Sequence, residues 1–155
     1  KNSNKGVKNL DNIMTLQQVS EGLEDLGYDM KLHADSVHIA IGGTGNPFVA
    51  VMTINDDNEL VITCQVAKLG DMKEDELPTV QFLLLDANTR IHPYAFGIIS
   101  ASDDPEFNDA ADYPIVLTNS VPLGDLSTGE LASAMDSLLV ALNTSDELLR
   151  VGLAG

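Results

Sequence analysis

The chain of 155 residues has no tryptophan, one cysteine and 5% aromatic residues. So few rings disfavour the stacking platforms on which unpaired bases and sugars are commonly held. The single cysteine, Cys64, excludes an internal disulfide and fits a reducing compartment. Positive charge is also scarce, with eight Lys and Arg against 24 Asp and Glu and a formal net charge of −16. Lys1, Lys5 and Lys8 all precede the first carboxylate, Asp11, so the remainder is more acidic still. Such a surface repels phosphate backbones and anionic lipid heads over a Debye length of ~8 Å at physiological salt. Nucleic acid is therefore disfavoured as a partner, and a basic or apolar polypeptide is favoured. No apolar run approaches the ~20 residues needed to cross a bilayer, so membrane insertion is not expected. The first residues, Lys1 to Gly6, contain no apolar stretch of the kind a signal peptide requires. We therefore expect a cytoplasmic protein in which residues 1–9 are a disordered or appended leader.

What the chain does have is 44% apolar residues, too many for a disordered polymer. At this length one α+β domain over residues 10–155 is expected. Thr15-x-x-Gln18 forms a capping box, Leu16, Val19, Leu23 and Leu26 make a helical stripe, and Gly27 stands where a left-handed residue closes a helix. Strands are expected over 28–33, 37–41, 48–54 and 60–67, with hairpin turns at Asn55–Asn58 and in the glycine-rich segment from Gly42. An acidic approach, Asp71 to Glu76, leads into a second helix with Pro78 near its start. Its segment Val80 to Leu85 is apolar nearly all round, so the helix is buried either centrally or partly against another subunit. Two strands over 94–100 and 113–121 follow. Ser127-x-x-Glu130 then opens a last helix with Leu131, Ala134, Met135, Leu138, Leu139 and Leu142 on one face, and a further turn is expected near 146–151. The pattern is an antiparallel sheet in the order helix, three or four strands, helix, two strands, helix.

Over about residues 15–143 this succession resembles the small α+β fold of type III secretion chaperones, shared by the YbjN-like proteins of bacteria. Leu26-Gly27-Tyr28-Asp29 after the first helix, the acid-led apolar central helix, and Ile91-His92-Pro93-Tyr94 before the next strand are also similar to the YjfI-like group of uncharacterised bacterial proteins. The chaperone resemblance implies homodimers joined near the central helix or its adjoining strand, and extended or helical partner segments bound along apolar patches. It implies no catalytic residue.

The residues themselves offer little chemistry. His33 and His38 flank a tight turn and could approach one metal with Asp35, but the spacing is no established signature and zinc needs three or four convergent donors. The carboxylates at Asp56, Asp57 and Glu59, and at Asp103, Asp104, Glu106, Asp109 and Asp112, depart from the alternating oxygens of an EF-hand, so solvated turns are expected. Gly42, Gly43 and Gly45 precede Pro47 and a strand, whereas a phosphate loop leads into a helix. Ser100, Ser102 and Asp103 are not part of a Gly-x-Ser-x-Gly elbow. Cys64 shares the alternating face of Leu60, Ile62 and Val66 with no cationic neighbour, as a core thiol does.

No catalytic residue, metal ligand or cofactor is assigned. We expect a non-enzymatic acidic interaction module of a bacterial cytoplasm, chaperone-like or regulatory, that binds another polypeptide and forms a homodimer. Val80, Phe82, Leu83, Leu84 and Leu85 are its expected surface for assembly, set against ordinary core packing of the same residues. The competing classes are an enzyme with a carboxylate and histidine cleft, and a ligand-sensing regulatory domain with an enclosed pocket.

Overall fold

A computed structural model describes residues 12–42, 47–100 and 109–153. The leader 1–9, Gly43, Gly45, Ser102, Asp103, Asp104 and Glu106 lie outside the described residues. The elements are α1 (Leu16–Asp25), β1 (Asp29–Leu32), β2 (Val37–Ile41), β3 (Phe48–Ile54), β4 (Glu59–Lys68), α2 (Leu77–Ala87), β5 (Ala95–Ile98), β6 (Pro114–Pro122) and α3 (Thr128–Leu149). The strands are hydrogen-bonded in the order β1-β2-β3-β4-β6-β5. The α+β class and the antiparallel sheet are as the sequence predicts, with four strands before the central helix. The chain divides into two compact units, one ending at Ile62 and including Ser120–Ala134, the other formed by Thr63–Asn119 and Met135 onward.

In the first unit, α1 begins where its capping box directs. Thr15 Oγ1 accepts from the Gln18 N–H at 3.2 Å, while Gln18 Oε1 accepts from the N–H groups of Met14 at 2.8 Å and Thr15 at 3.2 Å. Three amides that the first turn cannot satisfy are thereby satisfied. The helix ends at Gly27, whose φ of +87° an L side chain rarely adopts. Its inner face carries Val19 and Leu23, both fully buried. On that face Gly22 leaves so little room that a Cβ would lie 3.2 Å from Leu131 Cδ2 on the first turns of α3.

β2 alternates strictly, with Val37, Ile39 and Ile41 buried and His38 and Ala40 half-buried on the other face. It pairs antiparallel with β1, Leu32 opposite Val37, and with β3, Ile39 opposite Ala50. A one-residue slip would carry every inward side chain to solvent, so the alternation sets the register. In the β3–β4 turn, Asn55 Oδ1 accepts from the N–H groups of Asp57 at 3.1 Å and Glu59 at 2.9 Å, and Asn58 takes the left-handed conformation. Asp56 and Asp57 are exposed on this turn, as expected of solvated carboxylates.

In the second unit the largest buried side chains include Tyr94, Ile115, Leu117 and Met135. Here a chain segment beyond α3 returns to the approach of α2. Met72 bridges Leu153, and the Lys73 N–H donates to the Gly152 carbonyl at 2.7 Å. A Cβ on Gly152 would overlap Val80 Cγ2 and lie 2.9 Å from Met72 Sδ, so only glycine lets the chain pass there.

One expectation is corrected: Leu139 does not share the apolar face of the last helix but is 39% exposed, because it lies about 100° round the helix from the fully buried Leu138. The helix runs without a break to Leu149, so the further turn expected near 146–151 belongs to it. Leu138, Leu142, Ser145 and Leu149 continue its buried stripe at helical spacing, an Asp146–Arg150 ion pair at 2.5 Å supports the last turn, and neither glycine nor proline occurs between Leu131 and Leu149.

Candidate functional site

The second helix sorts its apolar residues onto two faces. Val80, Leu84 and Ala87, spaced by four and three, are buried. Gln81, Leu85 and Asn88 form the neighbouring stripe. Of the five residues expected to form the assembly surface, Val80 at 0% and Leu84 at 5% exposure belong to the core, and Leu83 is half-buried. Phe82 and Leu85, three apart on the helix, are 69% and 71% exposed. The structure thus parts the run instead of presenting it as one surface. Single exposed apolar residues are ordinary, whereas two large ones three apart on a helix, one of them lining an apolar groove, are not.

That groove holds about 320 Å³ and runs between α2 and β5, lined by Gln81, Leu84, Leu85 and Asn88 from the helix and by Phe96, Gly97 and Ile98 from the strand. No charged side chain lines it. Ile98, at 40% exposure, is the most exposed of its strand residues.

β5 stands at the end of the strand order and, among the described residues, pairs only with β6, Ile98 opposite Ile115 and Phe96 opposite Leu117. The Ile99 N–H donates to the Pro114 carbonyl at 3.1 Å, so the odd-numbered residues turn their backbone groups toward β6. Phe96 and Ile98 turn theirs outward. At Phe96 the outward groups are already satisfied, because Asn88 Oδ1 accepts from the Phe96 N–H at 2.6 Å and Asn88 Nδ2 donates to the Phe96 carbonyl at 3.3 Å. One side-chain amide therefore stands where a residue of a further strand would stand. Among the described residues no group bonds the outward N–H or C=O of Ile98. Asn88 follows the last helical residue, and in the sequence it signals only a helix stop; its pairing with a strand eight residues later has no local signature.

The other candidates assemble less. The turn at 33–36, closed by the His33 N–H donating to the Ser36 carbonyl at 2.8 Å, places the rings of His33 and His38 with centroids 4.5 Å apart and planes at 57°. His38 Nε2 lies 3.0 Å from Ser36 Oγ. Asp35 does not complete a set, for among the described residues no three His, Cys, Asp or Glu side chains are grouped to hold a metal ion. Cys64 is fully buried, and burial pushes its thiol up from 9.0 to about 11, the behaviour of a core residue and not of a nucleophile. Among the described residues no helix is long and apolar enough to cross a membrane.

No protein-family model matches the chain. No curated protein matches it either. Solved structures do, among them the crystal structure of "YbjN, a putative transcription regulator from E. coli", with a TM-score of 0.66, 11% sequence identity, and coverage of 93% of this chain and 99% of that chain. The fold is YbjN-like. At so low an identity the likeness concerns the path of the backbone, and no residue of the groove takes a role from it.

Proposed function

We propose that this chain is a non-enzymatic interaction module, chaperone-like or regulatory, of a bacterial cytoplasm, and that it holds another polypeptide along the groove between α2 and β5. One observation carries this: Leu85, 71% exposed, lines an uncharged groove bounded by a sheet edge, and Phe82, 69% exposed, stands three residues before it on the same helix. Burying a large apolar side chain is worth about 1.5–3 kcal/mol, so a helix that leaves two in water gains by covering them. The YbjN-like fold supports the architecture, and the regulatory description of its E. coli neighbour suits a module that acts by binding. The likeness to type III secretion chaperones and to the YjfI-like group belongs to the same proposal. A homodimer is the second reading, favoured by the placing of Phe82 and Leu85 on one helix face, where two copies could cover each other.

Capture on the immobilised protein and on its Leu85→Gln variant, followed by mass spectrometry, tests the proposal. A polypeptide retained by the first and lost from the second supports it, and equal retention by both refutes the groove as its site. Sedimentation of the two proteins over a range of concentrations tests the dimer, which should dissociate in the variant.

A further inference from the structure

We infer that the occupant of the groove is an extended basic–apolar segment of a different polypeptide, which adds to β5 as a further strand at Ile98. This deepens the function proposed above and rests on it.

The backbone argues for an extended partner. Ile98 offers an outward N–H and C=O on an edge strand, and two residues earlier the equivalent groups of Phe96 are closed by Asn88. A helix or a small apolar molecule seated here would take the Ile98 amide out of water without pairing it, at a cost comparable to a lost hydrogen bond. An added strand pairs it. The Asn88 amide also sets a limit, since the new strand pairs at Ile98 and ends before Phe96. Alternate side chains of such a strand point to one face, so every second residue enters the groove beside Leu85 and those between face solvent.

Charge decides the composition. The groove has no charged lining, so the inward residues are apolar. The unit that carries it exposes or half-exposes Asp71, Glu74, Asp75, Glu76, Asp109 and Asp112. Against them its described residues hold four basic side chains, Lys68, Lys73, Arg90 and Arg150, and both arginines are paired, Arg90 with Asp86 at 2.6 Å and Arg150 with Asp146 at 2.5 Å. A second copy of a chain with net charge −16 would bring the same excess to the contact. A segment whose outward residues are Lys or Arg is steered toward a unit of this charge.

Fluorescence anisotropy with the full chain tests this, using a labelled heptapeptide Lys-Leu-Lys-Val-Lys-Leu-Lys, its counterpart with Glu for Lys, and the basic peptide N-methylated at alternate backbone nitrogens. The basic probe should bind, at least tenfold more tightly than the acidic or the N-methylated one, and more weakly as salt rises to about 0.15 M. Leu85→Gln, which thermal unfolding should show to be as stable as the parent, should weaken it about tenfold. Equal binding of the acidic or N-methylated probe, or indifference to Leu85→Gln, overturns the inference. So does concentration-dependent self-association that Leu85→Gln abolishes, because a second copy is then the occupant. If the basic probe fails while capture still yields a polypeptide that depends on Leu85, the extended basic occupant falls and the interaction module stands.

Discussion

Leu84 and Leu85 are neighbours in sequence, on the same turn of α2, and replacing each by alanine should give sharply different stabilities. Leu84 is 5% exposed and Leu85 71%. Both substitutions make the same small change in helix propensity, so that contribution cancels and the difference reports burial alone. Truncating a buried leucine loses its transfer free energy and leaves a cavity, together about 2–5 kcal/mol. Truncating an exposed one stays within about 0.5 kcal/mol. For a chain of this size about 1 kcal/mol moves the midpoint by roughly 2–4 °C, so a loss of about 3 kcal/mol for Leu84→Ala lowers Tm by roughly 6–12 °C. Leu85→Ala should stay within about 2 °C of the parent by the same conversion. Urea titration followed by far-ultraviolet circular dichroism gives the free energies directly, and equal m-values would show that the cooperative unit is unchanged. Similar losses for the two variants would mean that α2 does not present the face described, and the groove would lose its wall.

Three further outcomes follow from other parts of the chain. The folded chain holds the Cys64 proton up to about 11, whereas the unfolded chain releases it near 9.0, so this burial contributes fully below pH 9 and is lost as pH rises to 11, by about 1.4 kcal/mol per pH unit. Cys64→Ala should remove that slope in urea unfolding across this range, and parallel pH profiles for the two proteins would refute it. Gly152→Ala, crowded by Val80 and Met72, should cost about 1–3 kcal/mol and speed proteolysis of the residues after α3, and the cost should shrink in a Val80→Ala background. Asn119 is 8% exposed and among the described residues its Nδ2 has no hydrogen-bond partner, so Asn119→Val should stabilise by about 1 kcal/mol, and a lowered midpoint would show that the amide is satisfied after all.

The fold was legible wherever local chemistry decides it. Thr15 and Gln18 cap α1, the alternation of Val37, Ile39 and Ile41 sets the inner face of β2, and Asn55 with Asn58 makes the β3–β4 turn; each signal lies within five residues of its effect. The candidate site was only half legible. The run from Val80 to Leu85 stood out, but a helix apolar on every side has no periodicity, and nothing in the run separates Leu84 from Leu85. Which strand becomes an edge depends on long-range pairing: β5 lies outside β6, its successor in the chain, and only that order turns Ile98 and Phe96 outward. The pairing of Asn88 with Phe96 needs both the helix end and the edge to be in place.

Sequence rules and structure disagree most at this same place, and the disagreement has a physical meaning. A chain that shares 11% of its residues with YbjN over 93% of its length, yet follows its fold at a TM-score of 0.66, keeps that fold by pattern: caps, turns and the alternation of apolar with polar positions. The pattern tolerates almost any side chain of the right class, so a position that violates it needs a further cause. Phe82 and Leu85 violate it, being large apolar residues set in water where Gln or Lys would favour the helix equally well. Folding supplies no reason for them, and the polypeptide proposed above would supply one. Asn88 points the same way from the opposite direction, since it closes one backbone pair of an edge that invites unwanted strands, while among the described residues no group closes the next pair.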